Sequence, residues 1–163
     1  MSVGVVGNAL MQDLTHIVGS GNIVTGPRAL DVYAQADGRT ADLIRVMPEA
    51  ADDVAAIVNV AREHGQKVFS VRGNIFPEAL EGQNGILIDP VNLNEITLIN
   101  DRNLMAHIGA GVTFEQLEKE LAKQDLTLLM PASAESPYVV RSYLERDCLV
   151  GSVNYRQPNL SIF

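Results

Sequence analysis

The chain has no tryptophan, and four tyrosines and four phenylalanines are its whole aromatic complement. That is too few aromatic faces for a platform that stacks bases or sugars. Cysteine is nearly absent too: Cys148 stands alone, so no internal disulfide can form. Arg146 is close to it in sequence but no histidine is there to act as its base, so it reads as a buried thiol. Basic residues are scarce, with 12 Lys and Arg against 20 Asp and Glu and a net charge of −8. Nucleic-acid and anionic-membrane surfaces both need clustered Lys and Arg, so neither partner is expected. No apolar run approaches the ~20 residues of a membrane span. The N-terminus lacks the basic start of a secretory signal, and a cytoplasmic, reduced setting is expected. His16, His64 and His107 are scattered with no second ligand at metal spacing, so no metal site is expected. Gly4-Val5-Val6-Gly7 and Gly19-Ser20-Gly21 do not follow a strand within a GxGxxG unit, which sets aside a Rossmann site.

What is present is an ordinary globular composition, 47% hydrophobic and 20% charged, without repeats or low-complexity tracts. The length suits one domain or two small lobes sharing a core. Ala9, Leu10, Leu14 and Ile17 fall at roughly helical spacing and stop at Gly19. Ile23 to Thr25 reads as extended, Arg28 to Tyr33 as one or two helical turns, and Leu43 to Met47 as a buried strand stopped by Pro48. Val54, Ile57, Val58 and Ala61 then form a helical stripe, with Asp52 and Asp53 at the positive end of the dipole and Gly65 as the stop. Lys67 to Val71 is a short strand, so strand, helix and strand make a parallel βαβ unit.

After a loop from Arg72 to Asn84, Gly85 to Asp89 is read as a strand. Ile96 to Asn100 and Leu104 to Gly109 flank the polar turn Asp101-Arg102-Asn103 as a hairpin. Thr113 and Gln116 form a capping box for a helix that buries Phe114, Leu117 and Leu121 and pairs Glu115 with Lys119 on its exposed side. Leu126 to Leu129 is expected to return as a strand, and Val139 to Leu144 as a short helix. The predicted class is α+β: a small parallel βαβ lobe over about residues 20–88, then a more antiparallel αβ lobe over about 89–163.

The order of several stretches carries a resemblance. They are Met47-Pro48-Glu49-Ala50-Ala51-Asp52-Asp53-Val54, Val68 to Gly73, Gly85-Ile86-Leu87-Ile88-Asp89 with Leu93-Asn94-Glu95-Ile96, Ile108-Gly109-Ala110-Gly111-Val112-Thr113, and Leu129-Met130-Pro131-Ala132-Ser133. Together they cover roughly residues 20 to 135, and in that order they resemble the flavin-binding domain of the vanillyl-alcohol oxidase / p-cresol methylhydroxylase family, of the glycolate-oxidase-like kind. The resemblance implies FAD as the cofactor, and a loop without histidine, with Cys148 alone defining no linkage site, makes a non-covalent one the expectation. It implies flavin contacts at Arg72, Gly73, Asn74, Ile75 and Phe76, in the loop that wraps the pyrophosphate, at Pro131, Ala132 and Ser133, and at Gly151. For Arg72-Gly73 and for Pro131-Ala132-Ser133 the plain alternative is a turn that ends a strand. Gly109 and Gly111 are read more simply as a strand-to-helix bend.

The chain departs from the family pattern in two places. A phosphate cradle needs successive amides aimed at one anion, and glycine permits the backbone that aims them. Here the loop reads Arg72-Gly73-Asn74-Ile75-Phe76-Pro77-Glu78-Ala79-Leu80-Glu81-Gly82. Of the glycine run only Gly73 remains, Ile75 resists left-handed backbone, Pro77 lacks an N–H, and Glu78 and Glu81 repel phosphate. Near the end, Cys148-Leu149-Val150-Gly151-Ser152-Val153 offers a single glycine where the family carries a pair. The expected organisation is one FAD-binding-type domain over 1–163, incomplete at its C-terminus and without a cap domain. The expected function is the FAD-binding component of a flavin-dependent oxidoreductase similar to glycolate oxidase or D-lactate dehydrogenase, incomplete alone, with catalytic residues unassigned. The alternative is a non-catalytic structural or regulatory subunit that kept the fold and lost the flavin. A homo-oligomer or a larger flavoprotein partner is expected, and under the alternative 154–163 is a docking segment.

Overall fold

The computed structural model describes residues 7–33, 41–71, 77–128 and 137–145, with side chains in the last stretch described through Ser142. The chain divides into two compact units, Met1–Leu93 and Asn94–Phe163. The architecture is α+β, with a four-stranded sheet containing parallel strands and a separate antiparallel pair, as the sequence predicts.

In the first unit, α1 (Asn8–Val18) buries Leu10, Leu14 and Val18 and ends at Gly19. The short β1 (Ile23–Val24) pairs antiparallel with β2 (Asp42–Val46), and Gly26–Leu30 forms a 3-10 turn between them. After β2 comes α2 (Ala51–Glu63). Its first turn is held by Asp53, whose Oδ2 accepts from the N–H groups of Ala50 (2.9 Å) and Glu49 (3.1 Å), which satisfies two otherwise orphaned donors. Gly65 turns the chain at φ +62, letting Gln66 N donate to Ala61 O, and β3 (Val68–Ser70) follows.

β3 does not lie beside β2. The sheet order is β1-β2-β4-β3, with β4 (Asn84–Ile88) inserted between the two halves of the βαβ unit and parallel to both. Local signals cannot reveal this, because the sequence gives the crossover but not which strand fills the space it leaves. β4 is Gly-Ile-Leu-Ile behind a single exposed Asn84, the continuous apolar run of a strand covered on both faces. Ile44, Val46, Ile86 and Ile88 join α1 and α2 in one cluster, with Ile57 and Ala61 as the helix's knobs. Leu43 and Leu87 join Leu30, Tyr33, Val71 and Leu80 in the other.

The predicted stripe on α2 needs one correction. Ile57 and Ala61 are buried and Val54 partly so, but Val58 is 45% exposed, and Val60 packs against the cluster instead. At one hundred degrees per residue a stripe seated on Ile57 and Ala61 reaches 54 and 60 and leaves 58 on its flank.

In the second unit, β5 (Ile96–Asn100) and β6 (Met105–Ile108) form the predicted hairpin. Asn100 fixes the turn, its Oδ1 accepting from Arg102 N at 3.1 Å and Asn103 N at 3.0 Å. The capping box of α3 (Phe114–Ala122) is present: Gln116 N donates to Thr113 Oγ1 (3.2 Å) and Thr113 N to Gln116 Oε1 (2.9 Å). Thr113→Ala is expected to cost about 1 kcal/mol by removing the acceptor for Gln116 N, read as an earlier chemical-denaturation midpoint. Phe114, Leu117 and Leu121 are buried as predicted. The ion pair seen on this helix is Glu120 with Lys123 (2.7 Å) rather than Glu115 with Lys119.

Leu126 to Leu128 is not a strand, contrary to the prediction. Leu126 and Leu128 do pack on the α3 cluster, but the segment is tied by the Glu118 carboxylate, which accepts from Thr127 Oγ1 (2.5 Å) and Leu128 N (2.9 Å). A carboxylate thus supplies the bond that a neighbouring strand would otherwise supply. These bonds hold the Glu118 carboxyl below its ordinary range, the threonine hydroxyl contributing most. The ionised form is the bonded one. Its contribution is complete above the ordinary glutamate value of about 4.3 and is lost as pH falls through the lower folded value. Acid denaturation of Glu118→Gln is expected to show a shallower loss of stability over that window than the parent. Finally, α4 (Val139–Glu145) covers the predicted helix.

Candidate flavin site

The first unit gathers the carboxyl ends of three parallel strands, the edge at which open α/β sheets take ligands. Val71 N donates to Ile88 O (2.9 Å) and Asp89 N to Val46 O (2.8 Å), so the ends of β3, β4 and β2 leave the sheet together. Asp89, 4% exposed, caps the Pro90–Asn92 turn by accepting from Val91 N at 3.2 Å. Asn22 stitches this edge: its backbone O accepts from Met47 N (2.9 Å), its Oδ1 accepts from Asn92 (3.1 Å), and its Nδ2 donates to Val18 O and Glu49 (each 2.9 Å). None of Asn22, Asp89 or Asn92 stands out by sequence spacing. Only Asp89 ahead of Pro90 carries a readable signal, that of a capping acid before a turn-starting proline.

The residues that the sequence assigns to the flavin, namely Arg72, Gly73, Asn74, Ile75, Phe76, Pro131, Ala132, Ser133 and Gly151, lie outside the described residues, as does Cys148. The described half of the loop is Pro77 to Gly82. Its 3-10 turn Glu78–Leu80 consumes its own amides, Leu80 N to Pro77 O, Glu81 N to Glu78 O and Gln83 N to Leu80 O. Leu80 is buried and anchors the turn, while Glu78 and Glu81 are exposed. This half of the loop is therefore a packed turn and does not fit a diphosphate.

The second unit offers a better fit. Its Gly109–Val112 turn, closed by Val112 N donating to Gly109 O (3.1 Å), is clamped to the start of α4. Phe114 N donates to Pro137 O (2.9 Å), Val139 N to Val112 O (3.0 Å), and Thr113 bridges Tyr138 antiparallel. On that anchored segment Arg141 is 7% exposed, with its guanidinium over the Tyr138 ring at 4.7 Å. A buried cation beside a backbone turn suits an anionic cofactor in its chemistry.

The model of the FAD binding domain family matches residues 43–143, more than half of the chain. The chain belongs to the FAD binding domain family. FAD is the cofactor of this domain, as the resemblance implies. Solved structures agree on the fold. p-Cresol methylhydroxylase with substrate bound superposes over 85% of this chain at a TM-score of 0.69 and 20% identity. 4-Ethylphenol oxidase from Gulosibacter chungangensis, in complex with isoeugenol, covers 80% at 0.64 and 19% identity. Alkyldihydroxyacetonephosphate synthase covers 85% at 0.69 and 16% identity. The chain spans 29%, 27% and 29% of those three chains, less than a third of each. No helix among the described residues of this FAD-binding domain is long and apolar enough to cross a membrane.

Proposed function

We propose that this FAD-binding domain is the flavin-holding component of an oxidoreductase that oxidises a small 2-hydroxy acid, in the manner of glycolate oxidase or D-lactate dehydrogenase. The observation that carries the reading is the family match running from β2 through α4, with three strand ends gathered where the Arg72–Phe76 loop departs. A bound flavin would supply a hydride acceptor, and the protein's part is binding and orientation. Asn22, Asp89 and Asn92 hold the strand ends in register. Arg72 to Phe76, Pro131 to Ser133 and Gly151 are the proposed flavin contacts, without a covalent link. The domain's partner is a second copy of the chain or a larger flavoprotein, in the cytoplasm.

A second reading is favoured by one observation. The Pro77–Gly82 turn spends its amides internally and presents two exposed carboxylates, as expected of a subunit that kept the fold and lost the flavin. Anaerobic addition of glycolate or D-lactate to the FAD-loaded protein, purified with its native partners, separates the two. Bleaching of the flavin band is the expected result. Bleaching by an alkylphenol alone moves the substrate class, and no bleaching by either supports the non-catalytic subunit.

A further inference from the structure

We infer that the outer edge of β6 is a dimerisation surface, on which β6 of a second copy of this chain adds antiparallel to make one four-stranded sheet. The inference deepens the proposed function, from which it takes the second copy as partner, and it concerns the second unit alone. Its first support is a cluster of exposed apolar side chains on the β5–β6 hairpin: Leu98 (45%), Leu104 (77%) and Met105 (45%). The pairing of Leu98 with His107 and of Asn100 with Met105 sets Leu98 and Met105 on one face of the hairpin. Ile96, Ile99 and Ile108 are the residues that pack on the α3 cluster. Leu104 sits at the tip with φ +52, a left-handed backbone that leucine seldom adopts. Glycine or asparagine would hold that turn without strain. A leucine placed there, and left open to solvent, points to a contact outside the chain's own core.

The backbone supplies the second support. Two strands alone make a marginal sheet, and no third strand pairs with β5 or β6 among the described residues. The ladder is irregular on β5 between Ile96 and Leu98, which bends that edge and discourages pairing, while β6 is regular. Gly109 N donates to Glu95 O (2.8 Å) across the hairpin. By the alternation of an antiparallel ladder, the N–H and C=O groups of Ile108 and Ala106 then point away from β5. What selects a second copy is charge. The chain carries a net charge of −8, so two copies repel over most of their surfaces. Neither strand, Ile-Thr-Leu-Ile-Asn nor Met-Ala-His-Ile, contains Lys, Arg, Asp or Glu, and lysine is what commonly guards a sheet edge. The matching surface is another uncharged, apolar strand edge, and β6 is one. A two-fold axis at His107 sets Ala106 opposite the partner's Ile108, with their outward groups bonded in both directions, and His107 opposite the partner's His107.

The test is analytical ultracentrifugation of the purified full chain over a range of concentrations, for the parent, His107→Lys, His107→Glu and Leu104→Asn. The parent is expected to form a dimer. Each charge variant should raise the dissociation constant by about tenfold or more, because it sets like charges face to face at the axis. An equal mixture of the two charge variants should dimerise again, since lysine then faces glutamate. Leu104→Asn suits the left-handed turn and removes the apolar tip, so it should weaken the dimer without lowering the thermal midpoint of the dilute protein. It also decides the matter if a charge variant does not fold. A parent that stays monomeric at every concentration, or a dimer that none of the variants weakens, overturns the inference. FAD retention is measured in parallel: flavin held by a monomeric parent overturns this surface and leaves the flavin reading intact. A parent dimer that responds to the variants but holds no flavin supports the surface and counts against that reading.

Discussion

Gly85→Ala is expected to destabilise the first unit by about 3 kcal/mol or more, a loss of roughly 6 to 12 °C in thermal midpoint for a chain of this length. Gly85 sits in the central strand at φ +144, a conformation that L side chains rarely adopt. A Cβ there would run into the Lys67 carbonyl, whose carbon is 3.1 Å away and whose oxygen accepts from Ile86 N at 2.8 Å. The obstacle is backbone, so no rotamer change relieves it, and moving Lys67 would break the entry of β3 into the sheet. Gly21→Ala is the control. Nothing lies within 4 Å of a Cβ at that position and its φ is ordinary, so its midpoint is expected to stay close to the parent's. Equal effects at the two glycines would contradict the close approach of β3 and β4.

Two adjacent residues on α2 give the second large effect. Ile57 is fully buried between α1 and the sheet, while Val58 is 45% exposed. Ile57→Ala removes buried methyl groups and leaves a cavity, at an expected cost of about 2 to 5 kcal/mol. Val58→Ala is expected to change stability by less than about 0.5 kcal/mol, since it touches no such feature and alanine favours the helix. Urea denaturation of both variants measures this. A large loss at Val58 would mean that α2 is rotated from the orientation described.

Much of the fold was legible where local chemistry is decisive. The Thr113–Gln116 capping box, the Gly65 stop, the Asn100-anchored hairpin turn and the apolar run of β4 all follow from residues within a few positions of one another. What stayed illegible was non-local. The place of β4 between β2 and β3 depends on pairing across long stretches of chain, and the Asn22 hub joins Val18, Met47, Glu49 and Asn92. Leu126 to Leu128 has the composition of a strand, yet a Glu118 carboxylate holds it instead of a ladder. Val58 shows the limit of a stripe read by spacing alone. At the site, the sequence pointed to the flavin through the order of its motifs, while Arg141 was missed. A single arginine has no motif, and only its burial over Tyr138 marks it out.

The central claim is that this chain holds FAD. The measurement is the visible absorption spectrum of the purified protein, before and after incubation with excess FAD and desalting. Flavin bands that persist through desalting and a thermal midpoint that rises with FAD concentration are the expected result. A protein that stays colourless, with a midpoint indifferent to FAD, would contradict it.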